Sequence, residues 1–163
     1  MITQTELKRV LDYNPGDGVF RWKIRPTYRI APGTVAGWGT GYDYRCIMFG
    51  GKTYRSHRLA WLYIYGEFPS HEIDHINGDR SDNRIENLRD VTKFENQRNA
   101  KKRHDNTSGV TGVRRRHGKW YARIFVNSKD TDLGFFDDWF NAVCARKAAE
   151  HKHSFHPNHG RAS

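Results

Sequence analysis

Asp74-His75 heads a polar run, Ile76-Asn77-Gly78-Asp79, and is followed by Asn83, Asn87 and Asn96. These residue types suit metal-assisted hydrolysis of a phosphodiester. A carboxylate at Asp74 and a neutral amide oxygen at Asn96 are hard donors of the kind Mg2+ or Mn2+ prefers. Two protein ligands would leave one ion with positions for a phosphate oxygen and waters. The imidazole of His75 titrates near neutrality and can take a proton from an attacking water. The ion would offset charge growing on the phosphate and on the leaving 3′ oxygen. The expectation is a DNA-cutting chemistry with Asp74, His75 and Asn96 as its catalytic set and Asp74 and Asn96 as its metal ligands.

The surrounding pattern supplies elements to hold that set. Residues 73–76 read as a short strand that enters a polar loop, and 88–91 can return as its partner. Thr92 and Glu95 then stand at capping-box spacing, opening a helix expected to run to about Arg103 with Asn96 in its interior. Asparagine is a poor helix former, so a functional role gives that placement a cause. Asn77 and Asn83 lie among Gly and Asp, where side chains usually satisfy turn backbone groups, and a turn role is the expectation for both. Upstream, Thr3 and Glu6 cap a first helix with Leu7, Val10 and Leu11 on one stripe, expected to end near Asn14-Pro15. Val19 to Lys23 alternate as a strand. Gly50-Gly51 between two strand-like runs is a hairpin signal, and a helix over 57–65 should stop at Gly66.

Composition agrees with a polyanionic partner. Across 163 residues, 28 Lys and Arg face 18 Asp and Glu, a formal charge of +10. That attracts nucleic acid in a salt-dependent way. The length allows one domain or two small ones. Cys46 and Cys144 rule out a four-cysteine zinc site and read as a reduced, buried pair. The N-terminus lacks the basic-then-apolar order of a signal peptide, and no run approaches membrane-spanning length. A cytoplasmic setting, in a bacterial host or a phage-infected cell, is expected, with no membrane partner.

Beyond a linker at 104–107, a second module is expected over 108–151. Three strands, broken at His117-Gly118 and Asn127-Ser128, precede a helix capped by Asp137. Trp120, Ala122 and Ile124 fall on one side of the middle strand, suited to packing under the helix together with Trp139, Ala142, Val143 and Ala149. Tyr121, Arg123 and Phe125 fall on the other. Arg114, Arg116 and Arg123 are assigned to a DNA-facing surface, and Lys101-Lys102-Arg103 before the linker adds phosphate attraction. Residues 152–163, with His153, His156 and His159, read as a flexible tail.

Asp74-His75, then Asn87-Leu88, then Glu95-Asn96-Gln97-Arg98-Asn99 resemble the three motifs of the HNH nuclease family, specifically the homing endonucleases of phages and their introns. The resemblance covers roughly 1–103 and implies His75 as general base, Asp74 and Asn96 as ligands to one divalent metal, and Asn87 as a structural residue pinning the loop. It extends through Tyr54-Arg55-Ser56-His57-Arg58-Leu59-Ala60, a basic strand-to-helix segment of such nucleases. His57 and Arg58 are therefore candidate DNA contacts, although His57 could equally pack or cap the helix that follows. It also implies products with a 3′ hydroxyl and a 5′ phosphate.

The second module, through Gly112-Val113-Arg114-Arg115-Arg116, Gly118-Lys119-Trp120-Tyr121-Ala122-Arg123-Ile124 and Leu133-Gly134-Phe135-Phe136, resembles the plant ethylene-response-factor DNA-binding domain. There a three-stranded sheet lies in the major groove. Phe125 and Asp132 depart from that pattern.

The fold expected is α+β: a small mixed N-terminal region with a ββα-metal core, then a three-stranded antiparallel sheet packed on one helix. The partner expected is double-stranded DNA. One site per chain favours nicking by a monomer, while a dimer could break both strands. The alternative is a noncatalytic, sequence-specific DNA-binding regulator on a nuclease scaffold.

Overall fold

The computed structural model describes residues 1–39 and 44–161. The chain divides into two compact units, Met1–Lys93 and Phe94–Ser163. In the first, α1 (Gln4–Val10) starts at a complete capping box: the Thr3 hydroxyl accepts from the Glu6 N–H, and the Glu6 carboxylate accepts from the Thr3 N–H. The helix stops at Val10, earlier than its stripe suggests, because Leu11 belongs to β1 (Leu11–Asn14), paired antiparallel with β2 (Val19–Trp22). Leu11 fits both periods; burying Leu11 and Tyr13 on one face of the hairpin beside Phe20 and Trp22 decides for the strand.

A second sheet holds β3 (Trp38–Gly39), β4 (Arg45–Phe49) and β5 (Lys52–Arg55). Phe49 pairs with Lys52, leaving Gly50-Gly51 as a two-residue turn with both φ angles positive, the conformation that glycine adopts without a steric penalty. Helix α2 (Ser56–Tyr65) follows directly and ends on Gly66 in the left-handed region, whose N–H caps Leu62. Leu59, Ala60 and Leu62 join Leu7, Val10, Phe20, Ile47, Ile73 and Leu88 in one core. The ribbon of β6 (Glu72–His75) and β7 (Leu88–Val91) packs on that core through Ile73 and Leu88, and a 3-10 turn at Ile85–Asn87 leads into β7.

Helix α3 (Lys93–Gln97) spans the division between the units and is shorter than its capping pattern suggests. Residues 98–102 leave the helix to join the C-terminal segment: Gly160 N–H donates to the Ala100 carbonyl, Lys102 N–H to the Arg161 carbonyl, and His156 N–H to the Arg98 carbonyl. The tail up to residue 161, expected to be flexible, is thus tied down by backbone hydrogen bonds; Ala162 and Ser163 lie outside the described residues.

The second unit carries an antiparallel sheet of β8 (Val113–Arg116), β9 (Lys119–Val126) and β10 (Lys129–Phe136), in the order β10-β9-β8, with α4 (Trp139–Lys152) against it. Ala142 and Ala149 bring the helix close to Val113, Ala122 and Ile124. The helix cap is Asp138, which accepts from the Asn141 N–H, and not the expected Asp137, whose carboxylate pairs with Lys119 at 2.9 Å. Trp139, expected on the sheet side, is 41% exposed and donates its indole N–H to the Ser108 carbonyl. Buried Arg146 joins helix to sheet, donating to the Arg123 carbonyl at 2.7 Å and to Glu150 at 2.9 Å.

Candidate active site and nucleic-acid surface

The register of the β6–β7 ribbon sets which groups can meet. Asp74 lies opposite Arg89 and His75 opposite Leu88, and successive strand residues leave on opposite faces. Asp74 is buried and bound through Oδ2 by Arg89, whose Nη2 approaches to 2.6 Å and Nε to 2.9 Å. His75 instead turns toward α2. Its ring meets the buried His57 edge to face, with centroids 5.2 Å apart and planes at 89°. Tyr44 packs on both imidazoles, and the guanidinium groups of Arg55 and Arg80 lie over the Tyr44 ring at 4.7 and 5.0 Å. An aromatic ring carrying two exposed cations beside two imidazoles can receive a phosphate.

The loop between the strands is internally stapled. Asn87 Oδ1 accepts from the Asn77 N–H at 3.0 Å while its Nδ2 donates to the Asp82 carbonyl at 2.8 Å. Asn77 donates to Asp82 and receives the Asp79 N–H. Asp79 holds the Ser81 N–H and hydroxyl, and Arg84 grips Asp82 with Nε and Nη2. The Ser81 contacts hold Asp79 below the ordinary carboxylate range, and the Arg84 hydrogen bond holds Asp82 down to about 2. Both acids serve the loop. Among the described residues, no three His, Cys, Asp or Glu side chains converge as metal ligands.

Both imidazoles are held neutral. Burial pushes His75 below its ordinary 6.5, outweighing the Asn83 contact and the charges of Asp74, Asp79 and Asp82. Burial, with His75, Arg55 and Arg58 adding repulsion, pushes His57 down to about 3. Its Nδ1 is buried with no hydrogen-bond partner among the described residues. The unfolded imidazole takes a proton near 6.5 and the folded one resists until about 3. The His57 contribution to stability is therefore whole above 6.5 and lost as pH falls through that window. Between pH 7 and pH 5 it amounts to about 2 kcal/mol. Urea unfolding at the two pH values should show this loss in the wild type and a flatter dependence in His57→Leu; equal slopes would contradict it.

Of the other expected contacts in this unit, Arg58 donates weakly to the carbonyls of Pro69 and His71, both at 3.4 Å, and lies over Phe68. Asp74 and His75 belong to the first unit and Asn96 to the second.

On the second unit, the open face of the sheet carries Arg114 and Arg116 above the ring of Tyr121 at 5.5 and 5.6 Å, with Phe135 beside it. Neither arginine has an acidic partner among the described residues. Arg123 is on the same face but ion-paired with Asp130, and Arg103 with Asp105. Lys102 Nζ donates to the Gly109 carbonyl. Arg115 goes to the other side, over Trp120. Cys46 is buried and Cys144 exposed, both free. No helix among the described residues is long and apolar enough to cross a membrane.

Residues 54–98 match a protein family described as HNH endonuclease. The matched segment contains the last two residues of β5, α2, the β6–β7 ribbon with its loop, and α3, but not the N-terminal hairpin or the three-stranded unit. No curated protein and no solved structure matches the chain.

Four residues of the site were not read as such from the sequence: Arg89 on Asp74, Tyr44 on His75, and Arg55 and Arg80 over Tyr44. Asn83 was read as a turn residue, without its contact to His75. Arg89 lies in the expected return strand, but pairing 73–76 end to end with 88–91 would set it opposite His75; the observed register, with Glu72 opposite Val91, sets it opposite Asp74. Asn83 had no signal beyond its type.

Proposed function

We propose that the protein is a divalent-metal-dependent endonuclease that hydrolyses one strand of duplex DNA. The observation that carries this reading is a neutral, buried His75 beside an Arg89-held Asp74, inside the segment that matches HNH endonucleases. Asp74 supplies a buried carboxylate, a hard donor whose orientation Arg89 fixes, and the type of Asn96, an amide oxygen donor on the second unit, suits the same kind of cation. Bound there, Mg2+ or Mn2+ would stabilise charge on the reacting phosphate. His75 accepts the proton of the attacking water, and burial keeps it unprotonated for that task. Asn87 keeps the loop closed behind it. Arg55 and Arg80 meet the phosphate backbone at the entrance, while Arg114 and Arg116 on the three-stranded sheet, helped by Lys101, Lys102 and Arg123, hold the duplex. Cleavage leaves a 3′ hydroxyl and a 5′ phosphate, and a monomer nicks.

One feature favours the second reading, a noncatalytic DNA-binding regulator: Arg89 already neutralises Asp74. Incubating long mixed-sequence duplex with the whole chain in Mg2+ or Mn2+, against a chelator control, separates the two. Metal-dependent nicks support the nuclease; retention of intact DNA by the chain in both supports the regulator.

A further inference from the structure

The fully buried Asn83 makes two contacts that together fix a proton. Its Nδ2 donates to the Ser81 carbonyl at 3.1 Å, and a carbonyl can only accept, so the amide orientation is set. Oδ1 therefore faces His75 Nε2, at 3.4 Å. An amide oxygen can only accept as well, so Nε2 carries the hydrogen and the ring lone pair lies on Nδ1. The contact is long for a hydrogen bond, and its hold depends on how firmly Asn83 is kept in place.

That hold comes from the N-terminal hairpin, outside the matched segment. The Tyr13 hydroxyl, from β1, donates to the Asn83 carbonyl at 2.7 Å. At the other end of the turn, Gly18 lies against the same stretch of backbone. A Cβ there would stand 2.4 Å from the Arg84 nitrogen and 2.5 Å from the Asn83 carbonyl carbon, at a φ of +71°. Only glycine allows this approach.

We infer that Asn83 holds His75 as the Nε2–H tautomer, making Nδ1 the proton-accepting atom, and that Tyr13 and Gly18 of the first hairpin lock Asn83 in position. Asn83 and Tyr13 are positioning residues. Their catalytic effect rests on the nuclease reading, whereas the tautomer does not.

The test is 15N NMR of the imidazole rings in the whole chain, paired with cleavage kinetics. The wild type should show a protonated Nε2 and an unprotonated Nδ1 at His75. Asn83→Ala should mix the tautomers and lower kcat by about 10- to 100-fold with KM for duplex unchanged, and Asn83→Asp should restore the tautomer by restoring an acceptor. Tyr13→Phe, which removes one hydroxyl, should shift both readouts the same way by less, and serves if Asn83→Ala fails to fold. A wild-type Nδ1–H ring, or a tautomer indifferent to both variants, overturns the inference. A chain that shows the expected tautomer and its response to Asn83 but never cuts DNA supports the inference and refutes the nuclease.

Discussion

Alanine at His75 should lower the single-turnover rate of DNA cleavage by about 100- to 10,000-fold, the range a positioned general base contributes, and leave duplex binding nearly unchanged. The two effects separate because the ring is buried against His57 and Tyr44 and held by Asn83, while the charge assigned to the phosphate backbone comes from other side chains, Arg55 and Arg80 over Tyr44 and Arg114 and Arg116 over Tyr121. Folding must be checked alongside. Removing the ring opens a void beside His57, which truncation of a buried side chain converts into a stability loss of about 2 kcal/mol or more, so circular dichroism and binding at the assay temperature accompany the rate. Unchanged cleavage in a folded His75→Ala protein would remove this residue from the mechanism.

Asp74→Asn should reduce cleavage by about a thousandfold, corresponding to several kcal/mol of lost charge stabilisation at the ion. The substitution keeps shape and one oxygen but removes the charge that a hard cation and Arg89 both use. The cost to stability should be small. Arg89 retains 31% side-chain exposure, so water can solvate it, and a partly exposed pair is worth about 1 kcal/mol or less. Mn2+ added to 15N-labelled protein gives an independent readout: the amides of Asp74 and His75 should broaden first in the wild type and not in Asp74→Asn. Broadening confined to the loop around Asp79 and Asp82 would place the ion elsewhere and contradict the ligand assignment.

Short-range signals in the sequence translated well into structure. The capping box at Thr3 and Glu6, the glycine pair between β4 and β5, and the left-handed Gly66 each fix backbone within a few residues, so local chemistry decides them. Strands β6 and β7 were legible for the same reason, since two short segments with apolar residues either side of a polar, turn-forming loop can close on each other. Features set by distant contacts were not. Helix α3 stops where Asn99, 62 residues from Arg161, accepts from that guanidinium with both its backbone and side-chain oxygens, and no helical pattern encodes that. Asp137 and Asp138 are interchangeable as cap residues by type; the position of Lys119 across the sheet end takes one of them. Asn83 reads as an ordinary turn asparagine because its backbone environment is a turn. Its contact to His75 lies eight residues back along the chain and on another element, and the tyrosine that donates to its carbonyl is 70 residues away.

The chemistry of the broken strand is the most direct measurement. Supercoiled closed-circular DNA incubated with the whole chain in Mg2+ or Mn2+ should yield nicked circles that DNA ligase reseals without prior enzymatic treatment, because the ends carry a 3′ hydroxyl and a 5′ phosphate, and chelation should abolish the nicks. Circles that stay closed in every divalent metal while the chain binds them, or nicks that form in chelator and resist the ligase, would contradict a metal-assisted hydrolysis at Asp74 and His75.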